Sequence, residues 1–185
     1  MKILVLILVF FTTLFINSNV IGQVDSSLFY ITKKKTIEID SAIINDPRRF
    51  MRIRVDNENS GKYDKSLKIF PGKSKDKKKW YIIDFQTEIG DTVFTINYYD
   101  NFDKEFYLTF YYFKNNLIYS KLEYRKDKSL NTFYVREEWY NENRLIRFLE
   151  SGLLDNKKYK RKSSIDLLIY GNKYLKVFAD INNGS

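Results

Sequence analysis

The sequence predicts an α+β fold: an antiparallel β-meander of six to eight strands with a C-terminal helix and a short N-terminal helix. Three observations carry this. From Met51 onward, stretches of alternating apolar and polar residues are separated by turns bearing Asn, Gly or Pro. The 15 Tyr and 15 Phe of this 185-residue chain suit pleated, half-buried strands better than helices. After Ser163 the apolar period changes, and Ile165, Leu168, Ile169, Leu175 and Ala179 recur near one helical face, with Tyr174 and Phe178 flanking.

Taken in order, residues 1–22 have the three parts of a signal peptide. Met1-Lys2 is a basic start, Ile3 to Ile16 are apolar except for Thr12-Thr13, and Asn17-Ser18-Asn19 leads to Gly22. The apolar run falls short of the roughly 20 residues of a membrane span. This predicts cleavage between Gly22 and Gln23, leaving no stable transmembrane span and a product that is periplasmic or secreted. Residues 23–36 are polar and basic and read as a lead-in arm. Residues 37–181 make the single α+β domain. At its start Ile37, Ser41 and Ile44 fit one face of a short helix ended by Pro47, although Ile37 and Ile39 also alternate as a strand does.

Met51, Ile53 and Val55 alternate with Arg52 and Arg54 as a half-buried strand, which turns at Asn57–Gly61. Leu67–Ile69, stopped by Pro71-Gly72, is a second short strand. Trp80–Phe85, Thr92–Tyr99, Glu105–Lys114, Leu117–Lys126, Thr132–Tyr140 and Leu145–Glu150 follow. Asn115-Asn116 and Asn141-Glu142-Asn143 are hairpin signals, because Asn tolerates positive φ. Ser163-Ser164-Ile165-Asp166 has the form of a capping box, and Asn182-Asn183-Gly184 ends the helix; Gly171 inside it weakens the helical pattern.

Tyr112-Phe113-Lys114-Asn115-Asn116-Leu117-Ile118 is echoed by Trp139-Tyr140-Asn141-Glu142-Asn143-Arg144-Leu145-Ile146, with one residue inserted. Two copies are too few for a solenoid, so they read as successive hairpins of one meander. Over about residues 105–150 this pattern resembles that of uncharacterised exported bacterial proteins with hairpins of the type Tyr-Tyr-Phe-x-Asn-x-Leu-Ile. It is also similar to MORN-type repeats, which share Tyr-rich hairpins but carry regular glycines that residues 105–150 lack. The resemblance implies antiparallel hairpins and brings no catalytic residues with it.

The chain has no His and no Cys. That removes Ser-His-Asp and Cys-His catalysis, imidazole and thiolate metal sites, disulfides and a lipid-modified cysteine. No catalytic residue, metal or cofactor is predicted. Pro71-Gly72-Lys73-Ser74 ends like a phosphate-binding loop, but position 67 is Leu where that loop needs Gly. The net charge of +9 comes with a composition in which Lys, Asn, Ile, Phe and Tyr, all with A/T-rich codons, make up nearly half the chain. Codon bias accounts for this, and no nucleic-acid partner is inferred. Basic runs at Lys33-Lys34-Lys35, Lys73–Lys79 and Lys157–Lys162 read as solvated segments. Glu137 and Glu138 are adjacent on a strand, so they point to opposite faces and cannot flank one substrate.

Alternation sorts the meander into two faces. Phe94, Ile96, Phe106, Leu108, Phe110, Ile118, Leu122, Phe133, Val135 and Trp139 form the expected core side. The other side carries Tyr99, Tyr107, Thr109, Tyr111, Tyr119, Lys121, Glu123, Tyr134, Arg136 and Glu138. Tyrosines stepped among charges make a rigid amphipathic surface suited to contact. The candidate binding residues are therefore Tyr107, Tyr111, Tyr119, Tyr134, Lys121 and Arg136. The function expected is that of an exported, non-enzymatic envelope or binding protein whose partner is a protein, glycan or lipid of the cell envelope. A carboxylate-based hydrolase of glycan or peptide is the alternative, and a structural or immunity-type partner of another exported protein the third.

Overall fold

The computed structural model describes residues 26–56, 81–88, 92–100, 106–125, 132–152, 154 and 163–183. The expected signal peptide, the Asn57–Gly61 turn, the Leu67–Ile69 strand, the Pro71-Gly72 stop and the two later basic runs lie outside them. The fold is α+β, as expected: helix α1 (26–45), a seven-stranded sheet and helix α2 (Leu167–Asn182). The strands are β1 (Phe50–Asp56), β2 (Tyr81–Glu88), β3 (Thr92–Asp100), β4 (Phe106–Phe113), β5 (Asn116–Arg125), β6 (Thr132–Asn141) and β7 (Arg144–Gly152). They pair in sequence order as one antiparallel meander.

The N-terminal helix is longer than the sequence reading allowed. It takes in most of the expected arm and runs to residue 45 before a 3₁₀ turn at Pro47–Arg49. Its buried stripe is Phe29, Thr32 and Ile39, with Ile43 half-buried, a helical spacing. Thr32 fits there because its Oγ1 donates to the carbonyls of Leu28 and Phe29, at 3.0 and 2.9 Å.

Both hairpin turns are two-residue loops with positive φ at both positions: Lys114 (51°) and Asn115 (59°), then Glu142 (50°) and Asn143 (62°). The first turn therefore sits one residue earlier than the Asn115-Asn116 expected. Each hairpin also carries a bulge. Tyr111 faces Tyr119 while Tyr112 faces Leu117, leaving Ile118 as the extra residue. Trp139 faces Arg147 while Tyr140 faces Leu145, leaving Ile146 extra. The two hairpins thus superpose in sequence without any insertion.

The register corrects the assignment of faces. One face packs under α2 and holds most of the core, including Phe85, Tyr98, Phe106, Phe110, Leu122 and Tyr124. Tyr134 belongs to that core and pairs with Tyr124; Arg136 pairs with Leu122. Trp139 and Ile118 belong to the opposite face, packed with Phe29, Ile39 and Tyr119 under α1. The expectation put the core side at even positions in β4 and β5 and at odd ones in β6, on Phe133, Val135 and Trp139. In the structure even positions keep the α2 side into β6, because Leu122 pairs with Arg136 and Tyr124 with Tyr134, while the bulge at Ile118 sets that residue beside Tyr119 on the α1 side.

The cap of helix α2 lies three residues after the one expected. Asp166 is the N-cap, and its carboxylate accepts from the Ile169 N–H at 3.0 Å. Its buried face is Leu167, Gly171, Tyr174, Val177 and Phe178, whereas Ile169 is 62% exposed. The helix is thus rotated from the expected face so that Gly171 meets the sheet. A Cβ there would stand 2.8 Å from Leu117 Cδ2 and 3.0 Å from Phe110 Cδ1, and the Tyr112 hydroxyl donates to the Gly171 carbonyl at 2.8 Å. The glycine that weakened the helical pattern is what lets the helix approach.

Candidate functional site

The face opposite α2 is the Tyr-rich one, and α1 lies across part of it. The early turns of α1 stand over β6 and β7, where the Phe29 ring meets Trp139 edge-on at 5.0 Å and the Arg147 guanidinium lies 4.2 Å from the Phe29 ring centre. Its later turns stand over β4, where the Tyr111 hydroxyl donates to Asp40 at 2.7 Å. Beneath the helix the rings form a chain, Tyr111 to Tyr119 at 5.5 Å and Tyr119 to Trp139 at 5.1 Å.

Between α1 and strands β4–β6 lies a groove of about 310 Å³. Lys33, Thr36, Ile37 and Asp40 line it from the helix; Thr109, Tyr111, Tyr119, Lys121, Glu123, Glu137 and Trp139 line it from the sheet. Three of the six candidate residues, Tyr111, Tyr119 and Lys121, therefore come together here. Tyr107 is on the same face, outside the groove lining. It meets Tyr99 edge-on at 5.2 Å and carries the Arg125 guanidinium 4.2 Å from its ring centre. Tyr134 and Arg136 are on the α2 side of the sheet and join no site with the others. There Arg136 donates to the Ile165 carbonyl at 3.2 Å and pairs with Glu138, so it ties the lead-in of α2 to β6.

The groove's charges are largely matched. Glu123, almost wholly buried, takes Lys121 at 3.0 Å and Arg125 at 2.9 Å. Burial raises its carboxyl, but the hydrogen bonds from Lys121 and Arg125 outweigh this and hold it below the usual range. Glu137 accepts the Tyr119 hydroxyl at 2.6 Å. Burial, and then the bonds to Glu137 and Asp40, push the Tyr119 and Tyr111 phenols well above their ordinary values. Near neutral pH the tyrosines are donors and Glu123 is an acceptor. The Glu137/Glu138 reasoning is borne out: Glu137 faces α1, while Glu138 lies with Arg136, Tyr140 and Ser120 on the α2 side.

Further along this face, toward β1, Asp84 is 1% exposed and takes Arg54 at 2.8 Å and Arg52 as well. Burial raises this carboxyl too, and the two arginines bring it below its ordinary value. Among the described residues no group of acidic side chains could hold a metal ion, and no helix is long and apolar enough to cross a membrane. A larger cavity, about 390 Å³, lies along α2 over Val93, Leu175 and Phe178, with Asn115, Asn172, Asn182 and Lys176. It contains no carboxylate and none of the candidate residues, so the groove under α1 is the better-equipped site.

No family model, curated protein or solved structure matches the chain. The sequence reading missed Lys33, Asp40, Glu137 and Trp139 as groove residues. A signal for the first two existed: 29, 32, 36, 39 and 43 recur at helical spacing, but two of the five positions are Thr and hide the stripe.

Proposed function

We propose that this is an exported, non-enzymatic binding protein that takes its ligand in the groove between α1 and the Tyr-rich sheet face. Export rests on the three-part N-terminal segment. Binding rests on one observation: a concave site lined by three aromatic rings and five charged side chains, set on strands and closed on one side by a helix. Strand-borne rings lose little freedom on contact, which lowers the ordering cost. The ligand comes from the cell envelope, and immunity-type pairing with another exported protein is a special case of this reading.

The hydrolase alternative would draw on Glu123 and Glu137, which line the same groove. General-acid cleavage of a glycoside needs one carboxyl held above its ordinary value. Glu123 is held below it by Lys121 and Arg125, which favours binding over catalysis.

The test is retention of the protein on envelope material. Tyr111→Ala and Lys121→Ala are expected to reduce retention while leaving the far-UV spectrum unchanged. Tyr119 is buried and less suited to truncation. Retention unchanged in both variants refutes the reading. Retention abolished by modest salt favours a diffuse electrostatic attraction instead.

A further inference from the structure

We propose that the groove recognises a zwitterionic α-amino-acid group, with its carboxylate toward Lys33 and Trp139 and its ammonium toward Asp40 and Glu137. This rests on the binding reading above and names the ligand chemistry of that site.

The groove leaves some of its polar groups unmatched. Lys121 and Glu123 satisfy one another. Lys33 forms no ion pair among the described residues; its ammonium lies 5.9 Å from the Phe29 ring centre. The Trp139 indole N–H is buried without a hydrogen-bond partner among the described residues, on a side chain only 5% exposed. A buried donor left in this state is costly, so it marks a place for an acceptor. On the acidic side, Asp40 and Glu137 each give one oxygen to a tyrosine hydroxyl, and each carboxylate has capacity for a further donor.

A purely anionic ligand would meet three carboxylates here, and a purely cationic one would meet two ammonium groups. A group carrying one charge of each sign matches both sets. The volume is at the lower end for small-molecule sites, which suits a single residue-sized ligand. Ile37 and the Tyr111 ring offer its side chain an apolar wall.

The same group can come free in solution or displayed on a peptide-bearing envelope polymer, and the experiment separates the two. The full mature chain is screened by thermal shift against the twenty free L-amino acids. The best is then compared by calorimetry with its N-acetyl amide, which lacks both charges. Binding by the free amino acid, at least about tenfold tighter than by the blocked form, supports the inference. Lys33→Met and Glu137→Gln are each expected to weaken it about tenfold, with unliganded melting temperatures unchanged. If the amino acid also displaces the protein from envelope material, the displayed source is indicated; if it binds without displacing, the free one is. No response to any amino acid, or equal binding of the blocked form, overturns the inference. If that happens while Tyr111→Ala still loses envelope retention, only the ligand assignment falls and the binding reading stands.

Discussion

Replacing Trp139 tests how α1 is fixed to the sheet. The side chain is 5% exposed and packs against Phe29 of α1 and Tyr119 of β5. Truncating a large buried aromatic to alanine costs about 3–5 kcal/mol. Here part of that cost is offset, because the unpartnered indole N–H carries a penalty of about 1–3 kcal/mol that the truncation removes. Trp139→Ala is therefore expected to cost about 2 kcal/mol, the middle of the first range less the middle of the second. Trp139→Phe keeps a ring against Phe29 and drops the N–H, so it is expected to cost under about 1.5 kcal/mol. Urea denaturation gives both values. Amide exchange adds location: α1 exchanges faster in the alanine variant, while α2 and the core under it keep their protection. A phenylalanine variant as unstable as the alanine one would show that the indole N–H has a native partner. An alanine variant with the wild-type midpoint would show that α1 is not held through Trp139.

Three further outcomes follow from the geometry. Asp84 and Glu123 have folded-state carboxyls below their usual range, so the stability they add is present above about pH 4 and is lost as pH falls through their folded values; Asp84→Asn flattens the acid limb of a stability–pH curve, and an unchanged limb refutes the pairing with Arg52 and Arg54. Gly152 has φ of +94°, and an added Cβ would fall on the Phe133 carbonyl and 2.8 Å from Tyr134 Cα, so Gly152→Ala is expected to lose roughly 1–3 kcal/mol by chemical denaturation. Gly171→Val is expected to lose about 1–3 kcal/mol through crowding of Leu117 and Phe110, while Asn172→Ala on the exposed side of α2 stays within about 0.5 kcal/mol of wild type.

The sheet was legible in the sequence because its strands alternate and its turns carry Asn, and both signals are local. What alternation could not supply was the facing of β6. Tyr134 and Trp139 were assigned to sides by where the large apolar residues fall, Phe133, Val135 and Trp139 being odd, although the pairing carries even positions of β5 onto even positions of β6. The bulges at Ile118 and Ile146 insert a residue on one strand only, and nothing in the side chains marks them, since isoleucine serves equally on either side. The helix faces failed for a related reason. Gly171 contributes nothing to a hydrophobic pattern, yet it decides which side of α2 can come close to Phe110 and Leu117. A residue that acts through the absence of a side chain is invisible to a count of apolar ones.

The site was half legible for the same physical cause. Tyr111, Tyr119 and Lys121 were found because the apolar residues of β4 and β5 that mark the core side do fall on the face that α2 covers. Tyr134 and Arg136 were lost in β6, where Phe133 and Val135 drew the expected core to the odd positions while Arg136 in fact sits opposite Leu122. The groove itself needed α1, whose buried stripe relies on a threonine that satisfies its own hydroxyl within the helix. Such a residue packs like an apolar one while reading as polar. The placement of α1 also changes what the tyrosines do. On an open sheet their hydroxyls would face water and any binding would depend on their rings. Under α1 they are donors already committed to Asp40 and Glu137, so they hold those carboxylates in position and leave recognition to the remaining oxygens, Lys33 and Trp139. The tyrosine variants then report on the shape of the groove, and the lysine and glutamate variants on its chemistry. For that reason Tyr111→Ala and Glu137→Gln can give different answers and still describe one site.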